Sequence, residues 1–370
     1  MENLKVALVH DWFPVRRGGE KVFEIFAEIF PKAPIYTLFH IPGSQIDEIE
    51  SREIRTSFIQ RLPFLKTKFR HYLPLFPLAA ELFDLQKYDL VLSSSHCVAK
   101  GVLPRPDALH ISYIHSPVRY AWNQYFAYFS SDRLGVFSRF FIPPIIHYIR
   151  MWDQSSTHRV DNFIANSAAV SQRIRRYYRR ESDVIHPWVD TEFFQPSDTQ
   201  EDYFLIVSAL VPYKKIDLAV EAFRRNGLPL KIVGQGPEFK RLKKSAPANV
   251  EFLGYLDDEA LRRLYQGARA LIMPGEEDFG INSLESQACG VPVIAYARGG
   301  AVETVIPGET GILFETLSIP GLVGALDNFQ SMTFNKKSVR ANAMKYSRSE
   351  FKHKVSTHIQ RTWNEFKSQL

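Results

Sequence analysis

A chain of 370 residues, 45% hydrophobic and 23% charged, is too long for one ordinary core and has the composition of a globular protein built as two domains of similar size. Its net charge of +6 admits nucleic acid, an anionic membrane surface or a phosphorylated small molecule as partner. Two cysteines far apart in apolar surroundings, Cys97 and Cys289, argue against a disulfide framework or a zinc site and for a reducing compartment.

The N-terminus enters a strand without a signal-peptide pattern, and no apolar run approaches the ~18–20 residues a membrane span needs. The expectation is a cytoplasmic protein, peripheral on a membrane at most. Short apolar runs then alternate with amphipathic stretches, the mark of parallel α/β units. In the first half, strands are expected at 5–9, 34–38, 90–94, 109–114, 162–165 and 184–186, with helices at 20–30 and 168–178 among them. Between 187 and 202 the chain reads PWVDTEFFQPSDTQED, polar and proline-bearing, and a linker is expected at 191–202. A second series follows, with strands at 203–207, 230–233, 250–252, 270–273, 293–295 and 311–314. Its helices are expected at 216–225, 238–244, 258–266 and 283–289. The stretch 349–370 is one amphipathic helix, expected to pack back on the first domain. These elements predict an α/β protein of two Rossmann-like doubly wound domains, 1–190 and 203–348, facing a central cleft at the carboxyl ends of both sheets.

Candidate residues gather just past those strand ends. His10, Gly18 and Gly19 follow the first strand, His96 and His115 later ones, and Gly299-Gly300 a strand of the second half. The densest signal is EEDFGINSLE at 276–285, where Glu277 sits on a loop after a strand and Glu285 in the first turns of a helix. Phe279, Gly280 and Ile281 lie between them, where backbone N–H groups and a positive helix end suit an anion. Carboxylates that accept from hydroxyls beside amides that bind phosphate fit a nucleotide-sugar.

Each feature also has a plain structural reading. Asn282 and Glu285 have capping-box spacing, in which Glu285 only reaches back to the first helical amide; the alternative has it accept from vicinal ribose hydroxyls. Gly18-Gly19 is either a tight turn or a place where backbone approaches a phosphate. A histidine after a strand is often a satisfied structural residue, the more so for His96 than for His115. Lys214 and Lys215 open a helix, where a cation opposes the helix dipole unless a diphosphate sits nearby. The segment 58–83 mixes bulky apolar groups with Arg61, Lys66, Lys68 and Arg70. It reads equally as a membrane-surface element or a partly buried helical insertion. Arg173 to Arg180 reads as a solvated helix face.

The chain contains no Asp-x-Asp, no Walker-type phosphate loop, no Gly-x-Ser-x-Gly and no His-Glu-x-x-His, so ATPase, serine hydrolase and zinc protease lose their main support. No metal is expected. No nucleic-acid-binding module is recognisable either.

These residues resemble the retaining GT-B glycosyltransferases of family 4 (group 1) over essentially the full length. The match is carried by Glu277-x7-Glu285 with ACG and Pro292-Val-Ile after it, by VPYKKIDLAVEAF at 211–223, VGQGPE at 233–238, ETGILF at 309–314 and RRGGE at 16–20. SSSHCVAKG at 93–101 and HSPVRYAW at 115–122 resemble bacterial transferases of lipopolysaccharide or exopolysaccharide assembly, most of all GDP-mannose-dependent mannosyltransferases. The resemblance implies a metal-independent transfer from GDP-mannose to a lipid-linked saccharide, without nucleic acid. It implies Glu285 on the nucleotide ribose, Glu277 on the donor sugar and Lys214 on the diphosphate. It further implies amides of Phe279, Gly280 and Ile281 on sugar and phosphate, His115 near the reacting sugar, and Gly18-Gly19 near the phosphates. One departure stands out. Family members carry an arginine five positions before the lysine, and here that position is Ala209. Lys215, Arg298, Arg16 or Arg17 is expected to supply the missing charge. Alternatives within the fold are another NDP-sugar as donor, UDP- or ADP-linked, or a catalytically weak nucleotide-sugar binder.

Overall fold

A computed structural model describes residues 4–129, 136–199 and 201–369. The chain divides into two compact units, one formed by Met1–Ile185 with Lys352–Leu370, the other by His186–Phe351.

Unit 1 is built on seven parallel strands in the order β3-β2-β1-β4-β5-β6-β7. They are β1 (Val6–His10), β2 (Ile35–Thr37), β3 (Ile54–Thr56), β4 (Leu90–Ser95), β5 (Leu109–Ile114), β6 (Asn162–Ala165) and β7 (Asp183–Val184). Every residue of β1, β4 and β5 is buried, because helices cover both faces of a parallel sheet; hence their apolar runs stand out in the sequence. Leu8 pairs with Ile35 on one side and Leu92 on the other, so the strand order reverses between β1 and β4. In open α/β sheets that reversal opens the crevice where ligands bind.

Among the elements of unit 1 that the sequence reading does not give, one strand and one long helix have clear physical reasons. β3 is a half-exposed edge strand, Ile-Arg-Thr, too short and polar to show a run. The helix Val136–Ser155 contains Pro143 and Pro144, which normally break a helix; Ile146, Ile149 and Trp152 nonetheless fall on one buried stripe.

Unit 2 carries six parallel strands in the order β10-β9-β8-β11-β12-β13. They are β8 (Phe204–Val207), β9 (Leu230–Val233), β10 (Val250–Gly254), β11 (Leu271–Met273), β12 (Val293–Tyr296) and β13 (Gly311–Phe314). Phe204, Phe223 and Ile232 belong to one core cluster, Leu205, Leu271 and Leu284 to another. The order reverses between β8 and β11.

The stretch 187–202, polar in composition, carries apolar anchors into unit 2. Val189 and Phe194 are 1% and 2% exposed within a core of unit 2, and the Val189 amide donates to the Tyr346 carbonyl at 2.9 Å. Its polar composition conceals these apolar anchors. The final helix, Arg348–Lys367, belongs to unit 1 from Lys352 onward. Its Val355 and Ile359 are fully buried, Lys352 pairs with Glu28, and His358 Nε2 lies 2.8 Å from Asn162 Oδ1. Among the described residues no helix is long and apolar enough to cross a membrane.

Candidate functional site

In unit 2 the reversal between β8 and β11 brings two loops side by side. After β8 the chain turns through Pro212–Lys214, and Lys215 takes a left-handed conformation (φ +55°) as N-cap of the helix Ile216–Asn226. After β11 it runs through Gly275 and Glu276 to Glu277. The Lys214 ammonium forms an ion pair with the Glu277 carboxylate. Lys214 is only 7% exposed, where a charge is costly without a partner.

Gly280 is the N-cap of the helix Ile281–Ala288, with φ +81°, a conformation that glycine adopts at little cost. Asn282 is therefore not the cap, and its amide donates to the Val207 carbonyl. The capping-box reading of Glu285 fails with it. Glu285 instead lies a turn further in, 7% exposed, and Oε2 accepts from the Tyr265 hydroxyl at 2.9 Å. Burial, with the charge of Glu285 adding, pushes the Tyr265 phenol well above its ordinary pKa, so Tyr265 stays a donor. Phe279 is buried and stacks on His186 at 5.4 Å. Gly300 donates to the Glu277 carbonyl at 2.9 Å, and Gly299 (φ +65°) has that carbonyl 2.0 Å from where a Cβ would stand. The double glycine thus clamps the carboxylate loop against the end of β12.

In unit 1 the reversal between β1 and β4 collects three imidazoles. Asp11 is fully buried, and its carboxylate accepts from the amides of His96, Cys97, Val98 and Ala99 at 2.6–2.9 Å, holding the loop after β4. His96 Nδ1 lies 3.1 Å from Asp11 Oδ2. His115, just past β5, is fixed through its backbone, its N–H donating to the Ser95 carbonyl and its carbonyl accepting from Asn166 Nδ2 at 2.9 Å each. Burial, with His96 and His10 adding, holds the His115 imidazole well below its ordinary pKa, so the ring is neutral at pH 7. Gly18 and Gly19 form the first turn of the helix Gly18–Ile29. A Cβ at Gly19 would stand 3.7 Å from the His115 ring.

Thus unit 2 brings Glu277, Lys214, Phe279, Gly280, Ile281 and Glu285 to one strand-end edge, and unit 1 brings His115, Gly18 and Gly19 to another. Arg16 is spent locally, Nε and Nη2 donating to Glu24 at 2.6 and 3.0 Å. Arg17 is the N-cap residue, its amide donating to Glu20 Oε2 at 3.0 Å. Ala209 and Arg298 are both exposed. The cysteines are inert: burial pushes Cys289 up to about 12 and Cys97 well above its ordinary pKa. Sequence reasoning missed Tyr265 and Asp11. Tyr265 gives no local signal, whereas Asp11 beside His10 at a strand end is a visible one.

The segment 58–83 divides its faces. Ile59, Leu65, Phe69 and Phe76 are buried, while Phe64 (70% exposed), Leu78 (48%) and Leu82 (64%) are open, as are Lys66, Lys68 and Arg70. The helix Ala168–Tyr178 has a solvated face, where Arg175 pairs with Glu181.

The family description for glycosyl transferases group 1 matches residues 190–348, and that for Glycosyltransferase Family 4 matches residues 18–193. An uncharacterized glycosyltransferase of Methanocaldococcus jannaschii is 24% identical over 293 residues, 75% of each chain. Curated relatives at 30–31% identity match over 46–50% of their own length. A sucrose-phosphate synthase from Thermosynechococcus elongatus has the same fold, with TM-score 0.75 at 17% identity over 98% of this chain and 100% of that one. The Anabaena protein HepE, solved in complex with UDP-glucose, gives TM-score 0.70 at 16% identity over 97% and 100%. With the two family descriptions together spanning residues 18–348 and two doubly wound parallel-sheet units, the chain belongs to the group 1, family 4 glycosyltransferases and has their GT-B fold.

Proposed function

We propose that this glycosyltransferase binds a nucleotide-sugar at the strand-end edge of unit 2 and transfers the sugar, with retention at the anomeric carbon, to a hydroxyl of a lipid-linked glycan. The observation that carries the reading is the ion pair of the buried Lys214 with the half-buried Glu277 at the strand reversal, close in sequence to a Glu285 carboxylate oriented by Tyr265. Glu285 accepts from the ribose hydroxyls, Glu277 from the sugar, and Lys214 with the amides after Gly280 meets the charge that grows on the leaving diphosphate. Attack comes from the face the diphosphate leaves, and the departing phosphate helps to take the acceptor proton. The absence of Asp-x-Asp supports a transfer in which side-chain cations rather than a bridging metal neutralise the diphosphate. Units 1 and 2 then serve the acceptor and the donor respectively.

The donor is GDP-mannose in this reading, on the resemblance of residues 93–101 and 115–122. The neighbour solved with UDP-glucose favours a UDP-sugar as the second reading. Thermal shift with GDP-, UDP- and ADP-sugars tests both, since a ligand at 100 times its Kd stabilises by about 2.7 kcal/mol. The largest shift is expected with GDP-mannose. A shift with UDP-glucose alone overturns the donor assignment, and no shift with any overturns the site.

The lipid-linked acceptor is supported by an apolar and basic surface on unit 1. Phe64, Leu78 and Leu82 are exposed on 58–83, and Phe140, Phe141 and Met151 are 74%, 65% and 60% exposed on the helix Val136–Ser155. Exposed apolar groups beside Lys66, Lys68 and Arg70 suit an anionic bilayer on the cytoplasmic face.

A further inference from the structure

The ring of His115 ends a file of buried polar groups that crosses three elements of unit 1. His115 Nε2 lies 2.8 Å from Ser94 Oγ on β4, and the same hydroxyl lies 3.1 Å from His10 Nδ1 at the end of β1. Beyond His10, its Nε2 is buried without a hydrogen-bond partner and faces Glu20 Oε1 at 3.9 Å. The other oxygen of Glu20 is held by the Arg17 amide. His10, Ser94 and Glu20 are 1%, 0% and 6% exposed.

Hydrogen-bond polarity along this file is determined at the Glu20 end. A carboxylate facing a buried ring nitrogen repels a lone pair there and attracts an N–H, so a His10 ring with one proton carries it on Nε2. Its Nδ1 is then an acceptor, and the Ser94 hydroxyl donates to it. A serine hydroxyl has one proton to give, so Ser94 Oγ must accept from His115 Nε2–H. That leaves His115 Nδ1 as an acceptor. The other charged and titratable groups do not compete. Asp11 is filled by four amides, and His96 is turned to Asp11 with its ring 6.1 Å from His10 and 6.3 Å from His115. Arg119 adds positive charge near His115, which disfavours a second proton on that ring.

We propose that Glu20, His10 and Ser94 are positioning residues that hold His115 in its Nε2–H tautomer, so that Nδ1 accepts a hydrogen bond from a sugar hydroxyl. The proposal deepens, and rests on, the reading of His115 as facing the reacting sugar.

The test is ¹⁵N NMR of histidine-labelled full-length protein, with the His115 signals assigned by their loss in His115→Gln. Wild type is expected to show a protonated Nε2 and an unprotonated Nδ1. Ser94→Ala and Glu20→Gln are expected to mix or invert the two, and Ser94→Thr, which keeps the hydroxyl, to restore them. Transfer should fall about tenfold in Ser94→Ala and recover in Ser94→Thr. A proton on Nδ1 in wild type, or an unchanged tautomer in both disrupting variants, overturns the relay. If the tautomer moves as expected but wild type transfers no sugar from any nucleotide donor, the relay stands and the functional reading falls.

Discussion

The buried Lys214 ammonium and the half-buried Glu277 carboxylate, 63 positions apart in sequence, form an ion pair where the strand order of unit 2 reverses. Each is the other's counter-charge until a ligand arrives. In the function proposed above, a diphosphate competes with Glu277 for the ammonium, and a sugar hydroxyl can then take the carboxylate.

Lys214→Ala is expected to lower kcat/KM by ~10²–10³, the scale of losing one charge-stabilising group, and Lys214→Arg to retain part of it. Glu277→Gln should lower kcat more than it raises KM for the nucleotide. Steady-state kinetics with the preferred donor checks both, and wild-type turnover in Lys214→Ala would sink the assignment.

Tyr265→Phe removes the hydroxyl that orients Glu285 without touching any ligand group. Nucleotide affinity is expected to weaken several-fold and stability to drop by about 1.5 kcal/mol, the net worth of one hydrogen bond to a charged group at the low end. Isothermal titration with the free nucleoside diphosphate and chemical denaturation measure the two separately.

Gly299→Ala places a Cβ 2.0 Å from the Glu277 carbonyl at φ +65°. Something must move, and a loss of at least about 2 kcal/mol is expected. Gly308→Ala, at φ +80° but with open space around its Cβ, should cost less. Comparing their melting temperatures separates steric clash from backbone preference.

His110 is buried in β5, with Nδ1 2.8 Å from the Arg159 carbonyl and Nε2 2.9 Å from Ser93 Oγ. Burial lowers its pKa to about 4, so above pH 6.5 the ring is neutral in both folded and unfolded chain and its contribution is complete. Between 6.5 and about 4 the unfolded chain binds the extra proton, and stability falls with pH by up to about 3 kcal/mol. His115 and His96 are lowered too and add to the same slope. The melting temperature should fall from pH 6.5 to 4, less steeply in His110→Gln.

Flotation with anionic liposomes should carry the wild-type protein, and neutral liposomes should not. Lys66→Glu/Lys68→Glu and Phe64→Ser/Leu82→Ser should each reduce flotation without lowering the melting temperature, because these side chains are exposed.

The sheet architecture was legible because parallel strands covered on both faces are predominantly apolar. Leu109–Ile114, Asn162–Ala165, Leu230–Val233 and Gly311–Phe314 fall where the sequence runs predict them. Local pattern also located the strand-end loops and, through the spacing of Glu277, Glu285 and Lys214, the family. What it left open were choices that depend on groups distant in sequence. Capping-box spacing cannot reveal that Gly280 begins the helix or that Tyr265 orients Glu285 from another helix. Two prolines hide the helix Val136–Ser155, because its stability comes from packing a buried stripe rather than from intrinsic propensity. The pairing of Lys214 with Glu277, and the file from Glu20 to His115, exist only once strands β8 and β11, and β1, β4 and β5, lie side by side. Hydrophobic periodicity is local and survives in the sequence; a buried charge chooses its partner through space, and only the fold brings that partner near.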